Sequence, residues 1–555
     1  MKRIFDGILA HGATVKGGRE LFLENLRVAK LVKELFETSI GPYGSSKILY
    51  EKESGDYRIT KDGGSMFKEV SMVHPIAKLM AETGMSVKAE AGDGSLCAVV
   101  FCGTLLEKAG ELRERGFHPS LIVKGFNEAM KRSIEIVEKL SQTVTMRDRD
   151  ILMKLAKTYL STKLDPLASE HLSEISVKAL CRINSIDSGE FDMDMFKVEG
   201  RAGGSIEDSI LVDGVVIHKF GLDDMMPKRV EDARIAIIEK TLGIERPGSS
   251  FMIRLRDWRD VPRFFQERRK IMDDMVDSIV EAGVNVVLCT KNIDPEVGSI
   301  LAKKGILAIR NVQPKDIYNL RLALNARPVE DPKDLKEEYI GECELVEQRV
   351  IAAYDRWTFF EGCKNRYVQS ILVRGITDEL VEDVRNAVKY CLKTLSLSTR
   401  SLGVVPGGGA TEFLIAKSLR EWALRFRGGE QVVIQAFADA LEDLAVTPAK
   451  NAGMDPVEVK LRLRHELENG LLRGVNVFRR EIVDVLDDGL IDASHAKIAY
   501  LKSATETASA ILRIDHVIQH PKKPIKRKPL TPEPVRMVRR GAEEIIREIT
   551  EKGGK

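Results

Sequence analysis

A carboxylate between two glycines, followed by a hydroxyl, stands directly ahead of an apolar run: Gly92-Asp93-Gly94-Ser95, then Val99, Val100, Phe101, Leu105 and Leu106 at helical spacing. Glycine lets the backbone take φ > 0 and come close to a ligand. A helix start presents unpaired N–H groups and the positive end of its dipole to anions. An aspartate at that place can hold a divalent cation against phosphate oxygens. The stretch therefore reads as a magnesium–phosphate site at a helix N-terminus. The same letters also make an ordinary loop with Ser95 as a cap. Two further glycine-rich breaks, Gly41-Pro42-Tyr43-Gly44 and Lys61-Asp62-Gly63-Gly64, lie upstream, and Val405-Pro406-Gly407-Gly408-Gly409-Ala410 turns into a helix far downstream. Loops of this type can converge on one anionic ligand.

The elements that must carry these loops are mostly helical up to about residue 145. Helices are expected over 18–40, from Pro75 through Met80, over 95–114 and over 120–140, with short strands at Lys47–Tyr50 and Tyr57–Thr60. More helix follows from Arg147 to Leu180, broken at Ser161-Thr162-Lys163. Near Phe196 the pattern turns to strands: Val198, Ile210–Val212, Val215–Ile217 and Ala233–Glu239. In the charged segment from Trp258 to Val280, Phe264, Phe265, Ile271, Met272, Met275 and Ile279 fall near one helical face. A β-α-β pattern comes next, with strand 284–289, helix 295–304 and strand 306–310. After a strand at 367–373 the chain returns to helix over 378–395, 411–424, 431–451, 456–469 and 496–512. The fold class read from this order is multidomain α and α/β. From Pro521 lysines and arginines alternate with prolines, the pattern of a basic mobile tail, with a short helix over 541–551.

With 555 residues the chain is too long for one core. Its net charge of +2, from 86 basic and 84 acidic groups, gives no global argument for nucleic acid. No run approaches the roughly 18 apolar residues of a membrane span. The seven cysteines, scattered and without a C-x-x-C, argue against a disulfide framework or a zinc site. A cytoplasmic protein is expected.

Taken in order, Thr38-Ser39-Ile40-Gly41-Pro42-Tyr43-Gly44, Ile59-Thr60-Lys61-Asp62-Gly63, Gly92-Asp93-Gly94-Ser95 and Val405-Pro406-Gly407-Gly408-Gly409-Ala410 resemble the group II chaperonins, the thermosome and CCT type. The likeness also covers His74-Pro75, Gly203-Gly204-Ser205, Gly362-Cys363-Lys364-Asn365 and Ile511-Leu512-Arg513-Ile514-Asp515. It implies a helical equatorial ATP domain (1–145 and 403–520), a small intermediate domain (146–209 and 367–402), and an α/β apical domain (210–366) with a helical protrusion at about 251–281. It implies ATP and Mg as cofactors, a homo- or hetero-oligomeric double ring as the assembly, and unfolded proteins as clients. By resemblance Ser39, Ile40, Gly41 and Pro42 wrap the phosphates together with Gly92, Asp93, Gly94, Ser95, Leu96 and Cys97, and Asp93 holds Mg. Asp62 matches the carboxylate near the attacking water, though an Asp before glycine also simply forms a turn. Lys163 matches a γ-phosphate sensor, against the plainer reading of a solvated helix-end lysine. Gly408 and Asp492 match positions near ribose and adenine, where Asp492 alone would read as a helix cap. Trp258, Phe264 and Phe265 offer a surface for clients or for neighbouring lid segments, against internal packing.

The likeness has departures. Leu96 and Cys97 stand where the family carries hydroxyls. The family's water-activating aspartate lies 17 residues before the first glycine of the Gly407-Gly408-Gly409 run, and here that residue is Tyr390. A phenol, titrating at about pH 10, is a poor base near neutrality. The nearest acids, Glu382 and Asp383, are about two helical turns away. The expectation is therefore ATP binding with hydrolysis weakened. The alternative is a structural or regulatory subunit that does not hydrolyse and builds rings or filaments with active paralogues.

Overall fold

A computed structural model describes residues 14–53, 55–183, 195–244, 260–353, 355–366 and 368–519. Trp258, the basic tail and its expected 541–551 helix lie outside these residues. The chain divides into a small unit, residues 1–22 with 514–555, and a large one, Leu23–Arg513. In the small unit Thr14–Gly17 and His516–Gln519 pair as antiparallel strands.

In the large unit three groups of elements matter for the site. The first is a helical layer built around Ser95–Glu114. Val99, Val100, Phe101, Cys102, Leu105 and Leu106 of this helix are all buried, the signature of a helix enclosed on every side. Pro75–Ala91, Pro119–Leu140, Gly429–Ala445 and Ser494–Leu512 pack around it. Phe101 meets Phe437 edge-on at 5.4 Å between centroids. Ala410–Ala423 packs on Gly429–Ala445. The helix expected over 431–451 is two, ending at Ala445 and restarting at Thr447 with Pro448 in its first turn, because proline cannot donate to the preceding turn. The helix from Pro75 runs on to Ala91, well past Met80.

The second group combines Arg149–Ser161, Pro166–Ile183 and Asp378–Arg400 with a three-stranded sheet. Its centre, Gln369–Gly375, is parallel to Phe196–Ala202 and antiparallel to Ile210–Val212. The third is a six-stranded sheet. Strand Arg229–Ile238 runs parallel to Val286–Cys289, and that strand parallel to Leu307–Ile309, as the β-α-β pattern predicts. An antiparallel hairpin of Gly341–Ala352 and Asp355–Cys363 extends the sheet to Gly214–Ile217. Sequence reading missed this hairpin. Much of it is held by Glu and Arg, as where Arg349 meets Glu347 and Glu361 at 2.6 Å each, and such residues carry little strand signal. On helix Asp260–Glu281, Met272, Val276 and Ile279 are buried, while Phe265 and Ile271 are exposed. Phe265 and Ile271 thus lie off the buried face that carries Met272 and Ile279. The side chain of Phe264 is outside the described residues. Among the described residues no helix is long and apolar enough to cross a membrane.

Candidate functional site

Gly92 ends the Pro75–Ala91 helix at φ 79° and Gly94 starts the next at φ 84°. A Cβ on Gly92 would come within 2.8 Å of Thr394 Oγ1, so both conformation and space call for glycine here. This paired reversal holds Asp93 between two helix ends. Ser95 is not the cap; Gly94 is, and no side chain caps the Ser95–Glu114 helix. Its first turn therefore meets the cavity as a bare helix N-terminus.

That cavity, of about 250 Å³, is lined by Ser39, Ile40, Gly41, Pro42, Asp62, Asp93, Gly94, Ser95, Leu96, Cys97, Lys163, Gly408 and Asp492. All were singled out from sequence, although they come from positions hundreds of residues apart. Gly92 lies behind this wall, and Phe265 sits on the helix beside the six-stranded sheet. Ile40, Pro448, Val475, Val477, Phe478 and Leu490 give the cavity an apolar portion.

Asp62 forms the turn its place before Gly63 suggested. It N-caps Gly63–Glu69, its Oδ2 accepting from the Ser65 N–H at 3.0 Å. Its Oδ1 receives the Lys88 ammonium at 2.5 Å. Burial alone would raise the Asp62 carboxyl. The charges of Lys88 and Lys163 outweigh burial and, with the hydrogen bonds from Lys88 and Ser65, bring it down to about 2. Lys88 is 3% exposed. Its Nζ lies 4.3 Å from the centroid of the Tyr390 ring and 5.9 Å from that of Tyr159, a cation between two π faces. Tyr390 thus reaches the site's edge and covers the cation that holds Asp62. The acids one might substitute for it are engaged elsewhere: Asp383 accepts from Arg58 at 2.7 Å and Glu382 from Arg385 at 2.7 Å.

Lys163 is no solvated helix-end residue. Its side chain is 13% exposed, with Nζ 3.8 Å from Asp93 Oδ1 and 3.6 Å from the Tyr159 ring centroid. Burial lowers its ammonium in spite of Asp93. Lys61, on the same wall, donates to the Pro42 carbonyl at 2.5 Å, and burial together with the Lys163 charge lowers it to about 8. Burial pushes the Cys97 thiol up to about 12, so it stays neutral.

Acids gather elsewhere on the lining. Asp492 pairs with Val405 in a two-stranded ribbon; Ala493, not Asp492, caps the helix that follows. Its Oδ2 meets the Lys497 ammonium at 2.7 Å, and Lys497 also meets Glu412 Oε1 at 2.5 Å. Glu412 Oε1 accepts from the Tyr500 hydroxyl at 2.7 Å, while its Oε2 is buried without a hydrogen-bond partner. Burial raises Asp492. It would raise Glu412 too, but Lys497 overrides it and brings Glu412 down.

Sequence reasoning missed Lys61, Lys88, Tyr159, Glu412, Lys497 and Tyr500 as site residues. One signal existed. Lys88 falls on the same helical stripe as Met80, Ala81, Gly84 and Val87, all buried, and a lysine on an apolar stripe needs a partner.

The model of the TCP-1/cpn60 chaperonin family matches residues 32–522. A thermosome subunit of Methanopyrus kandleri is 38% identical over 514 residues, 92% of this chain and 94% of its own length. One of Methanocaldococcus jannaschii is 39% identical over 503 residues, 90% and 92% of the two chains. A thermosome beta subunit of Sulfolobus acidocaldarius is 38% identical over 520 residues, 93% and 94%.

Proposed function

The chain belongs to the TCP-1/cpn60 chaperonin family, and from that premise we propose that it is a ring-forming group II chaperonin subunit that binds ATP and turns it over slowly or not at all. The domain limits follow the family: equatorial 1–145 and 403–520, intermediate 146–209 and 367–402, apical 210–366. The glycine-bounded Asp93 loop and the bare helix start behind it suit the phosphates. The apolar portion of the cavity suits a base. The unpartnered Glu412 Oε2 suits a hydroxyl donor such as ribose. Asp93, whose side chain is 46% exposed, would hold Mg together with phosphate oxygens and water, and the ion would neutralise phosphate charge.

One observation carries the reading of weak hydrolysis. The Asp62 carboxylate is already bound by Lys88, and the ring at position 390 covers that ammonium. A carboxylate held well below its ordinary range, with both oxygens engaged, is a weak acceptor for a water proton. No phenol replaces the missing base. The same observation favours the second reading, a regulatory subunit that completes rings or filaments with active paralogues.

Antiparallel strands Lys47–Tyr50 and Tyr57–Thr60 put Ile48, Tyr50, Tyr57 and Ile59 on one exposed face, in the register Ile48 with Ile59 and Tyr50 with Tyr57. Such a ribbon, with both edges unpaired in its sheet, suits contact with a neighbouring subunit. Trp258, Phe264 and Phe265 are assigned to clients or lid neighbours. Seven free thiols accord with a reducing, cytoplasmic setting.

The test is to measure ATP binding and phosphate release on the purified assembly, beside a thermosome with turnover. Binding with release at least about tenfold slower is expected. A comparable rate, abolished by Asp62→Ala, overturns the proposal. Stimulated release on mixing with active paralogues selects the regulatory reading.

A further inference from the structure

The cavity is lined by four lysines and four carboxylates, and they are unevenly placed: Lys497 is taken by Asp492 and Glu412, away from the Asp93 loop. Around the Asp93 loop stand three ammonium groups, Lys61, Lys88 and Lys163, and two carboxylates, Asp62 and Asp93. Lys88 and Asp62 neutralise one another at 2.5 Å. Lys163 stands 3.8 Å from Asp93, a loose pairing, and its remaining contacts, the Thr162 hydroxyl at 3.1 Å and the Tyr159 ring, are neutral. Lys61 is bound only to a neutral acceptor, the Pro42 carbonyl, among its described contacts. Two of the three ammonium groups are thus partly buried on one wall without a tight counter-charge, and they repel each other.

Beside the Asp93 loop the carboxylates are two, Asp62 and Asp93. Both oxygens of Asp62 are engaged, one by Lys88 and the other by Ser65. Beside the Asp93 loop that leaves Asp93 to offer lone pairs to a metal; the unpartnered Glu412 Oε2 lies with Asp492 and Lys497 elsewhere on the lining. Among the described residues no three His, Cys, Asp or Glu side chains come together as a metal cluster. A lysine ammonium is a compact point charge that binds phosphate. A triphosphate lying along the Asp93 loop would meet Lys61 and Lys163 on this wall and the bare N-terminus of the Ser95–Glu114 helix.

We propose that Lys61 and Lys163, with Lys88 holding Asp62 neutralised, are a built-in cation set that lets this cavity bind a nucleoside triphosphate without a divalent ion. The inference rests on the nucleotide reading above and deepens it. Magnesium can still bind through Asp93; it is dispensable for affinity.

The experiment is equilibrium binding of ATP to the full-length assembly by calorimetry, once with magnesium and once with excess EDTA. An affinity in EDTA within about tenfold of that in magnesium is expected. Lys61→Met is expected to weaken binding in EDTA by about tenfold or more, a larger factor than the one it costs in magnesium. Lys61→Arg, which keeps the charge, is expected to retain metal-free binding. Inorganic tripolyphosphate in EDTA is expected to compete with ATP, which shows that the phosphate chain is what the lysines hold. Binding in magnesium that falls more than about a hundredfold in EDTA overturns this inference and leaves the nucleotide reading standing. An unchanged EDTA affinity in Lys61→Met removes Lys61 from the set and overturns the proposal as stated. No binding under either condition overturns the nucleotide reading itself, and this inference with it.

Discussion

Two buried charge clusters of the large unit are built to different rules. Around Glu442, whose side chain is fully buried, Arg420, Arg464 and Lys460 converge, and Asp439, Asp443, Glu111 and Lys108 complete the network. Four cations meet four carboxylates, and Arg420 and Arg464 each donate through more than one contact. Around Asp62 the cations are lysines, three against two carboxylates, on the wall of a cavity. The first cluster is complete by itself and needs no ligand. The second opens on a cavity whose lining also holds Lys497, Asp492 and Glu412, and its Lys61 and Lys163 lack a tight counter-charge. Arginine's rigid fork suits the closed network, and lysine's mobile point charge suits a site that must accept and release an anion.

Breaking the balanced cluster has the largest expected effect. Glu442→Gln leaves Arg420, Arg464 and Lys460 facing a neutral group, and a loss of about 3–5 kcal/mol is expected, seen as a lower thermal midpoint. Nucleotide affinity of the folded fraction should not change. If affinity falls as far as stability, the two clusters are not separate.

The next test converts the open cluster. Tyr390→Asp alone is expected to leave turnover low, since the new carboxylate would pair with Lys88. Tyr390→Asp with Lys88→Gln frees Asp62 and supplies a base, and phosphate release should rise on the order of a hundredfold. Recovery in the single variant would show that Lys88 does not restrain Asp62.

Acid titration gives a smaller effect. Asp62 has an ordinary value of 3.8 and is held at about 2 in the folded chain. A depressed carboxyl contributes stability that is present above about pH 4 and lost as pH falls toward 2. The contribution is about 2 kcal/mol. Asp62→Asn should therefore lower the midpoint near neutrality and flatten its fall between pH 4 and 2. An unaltered acid profile would show that Lys88 and Asp62 are not coupled in solution.

The smallest effect concerns Lys61. Its ammonium is lowered to about 8, so its charge is present below that pH and lost as pH rises through it. Metal-free ATP affinity is expected to weaken by roughly threefold to tenfold from pH 7 to pH 9. Lys61→Met should show a shallower slope, since the Lys163 ammonium, also lowered by burial, remains.

Much of this was legible in the linear chain. The loops at 39–44, 61–64, 92–95 and 407–410 carry glycines because the backbone must reverse or approach closely there, and local conformation is written in local residues. The apolar run of 95–114 after its glycine break and the β-α-β order of 284–310 are likewise local features of the chain. The substitution at Tyr390 was visible by counting, and with it the doubt about hydrolysis. The tertiary structure decided what each charge meets. Nothing local to Lys88 names Asp62, 26 residues away, or Tyr390, beyond three hundred residues of further chain. Glu412 and Lys497 are likewise joined only by the packing of two distant helices. Electrostatic partners are set by distance in space, which the order of residues encodes only through the completed fold. That is why the chain alone raises the expectation of a phosphate site, while the folded molecule shows which charges of the cavity are already taken.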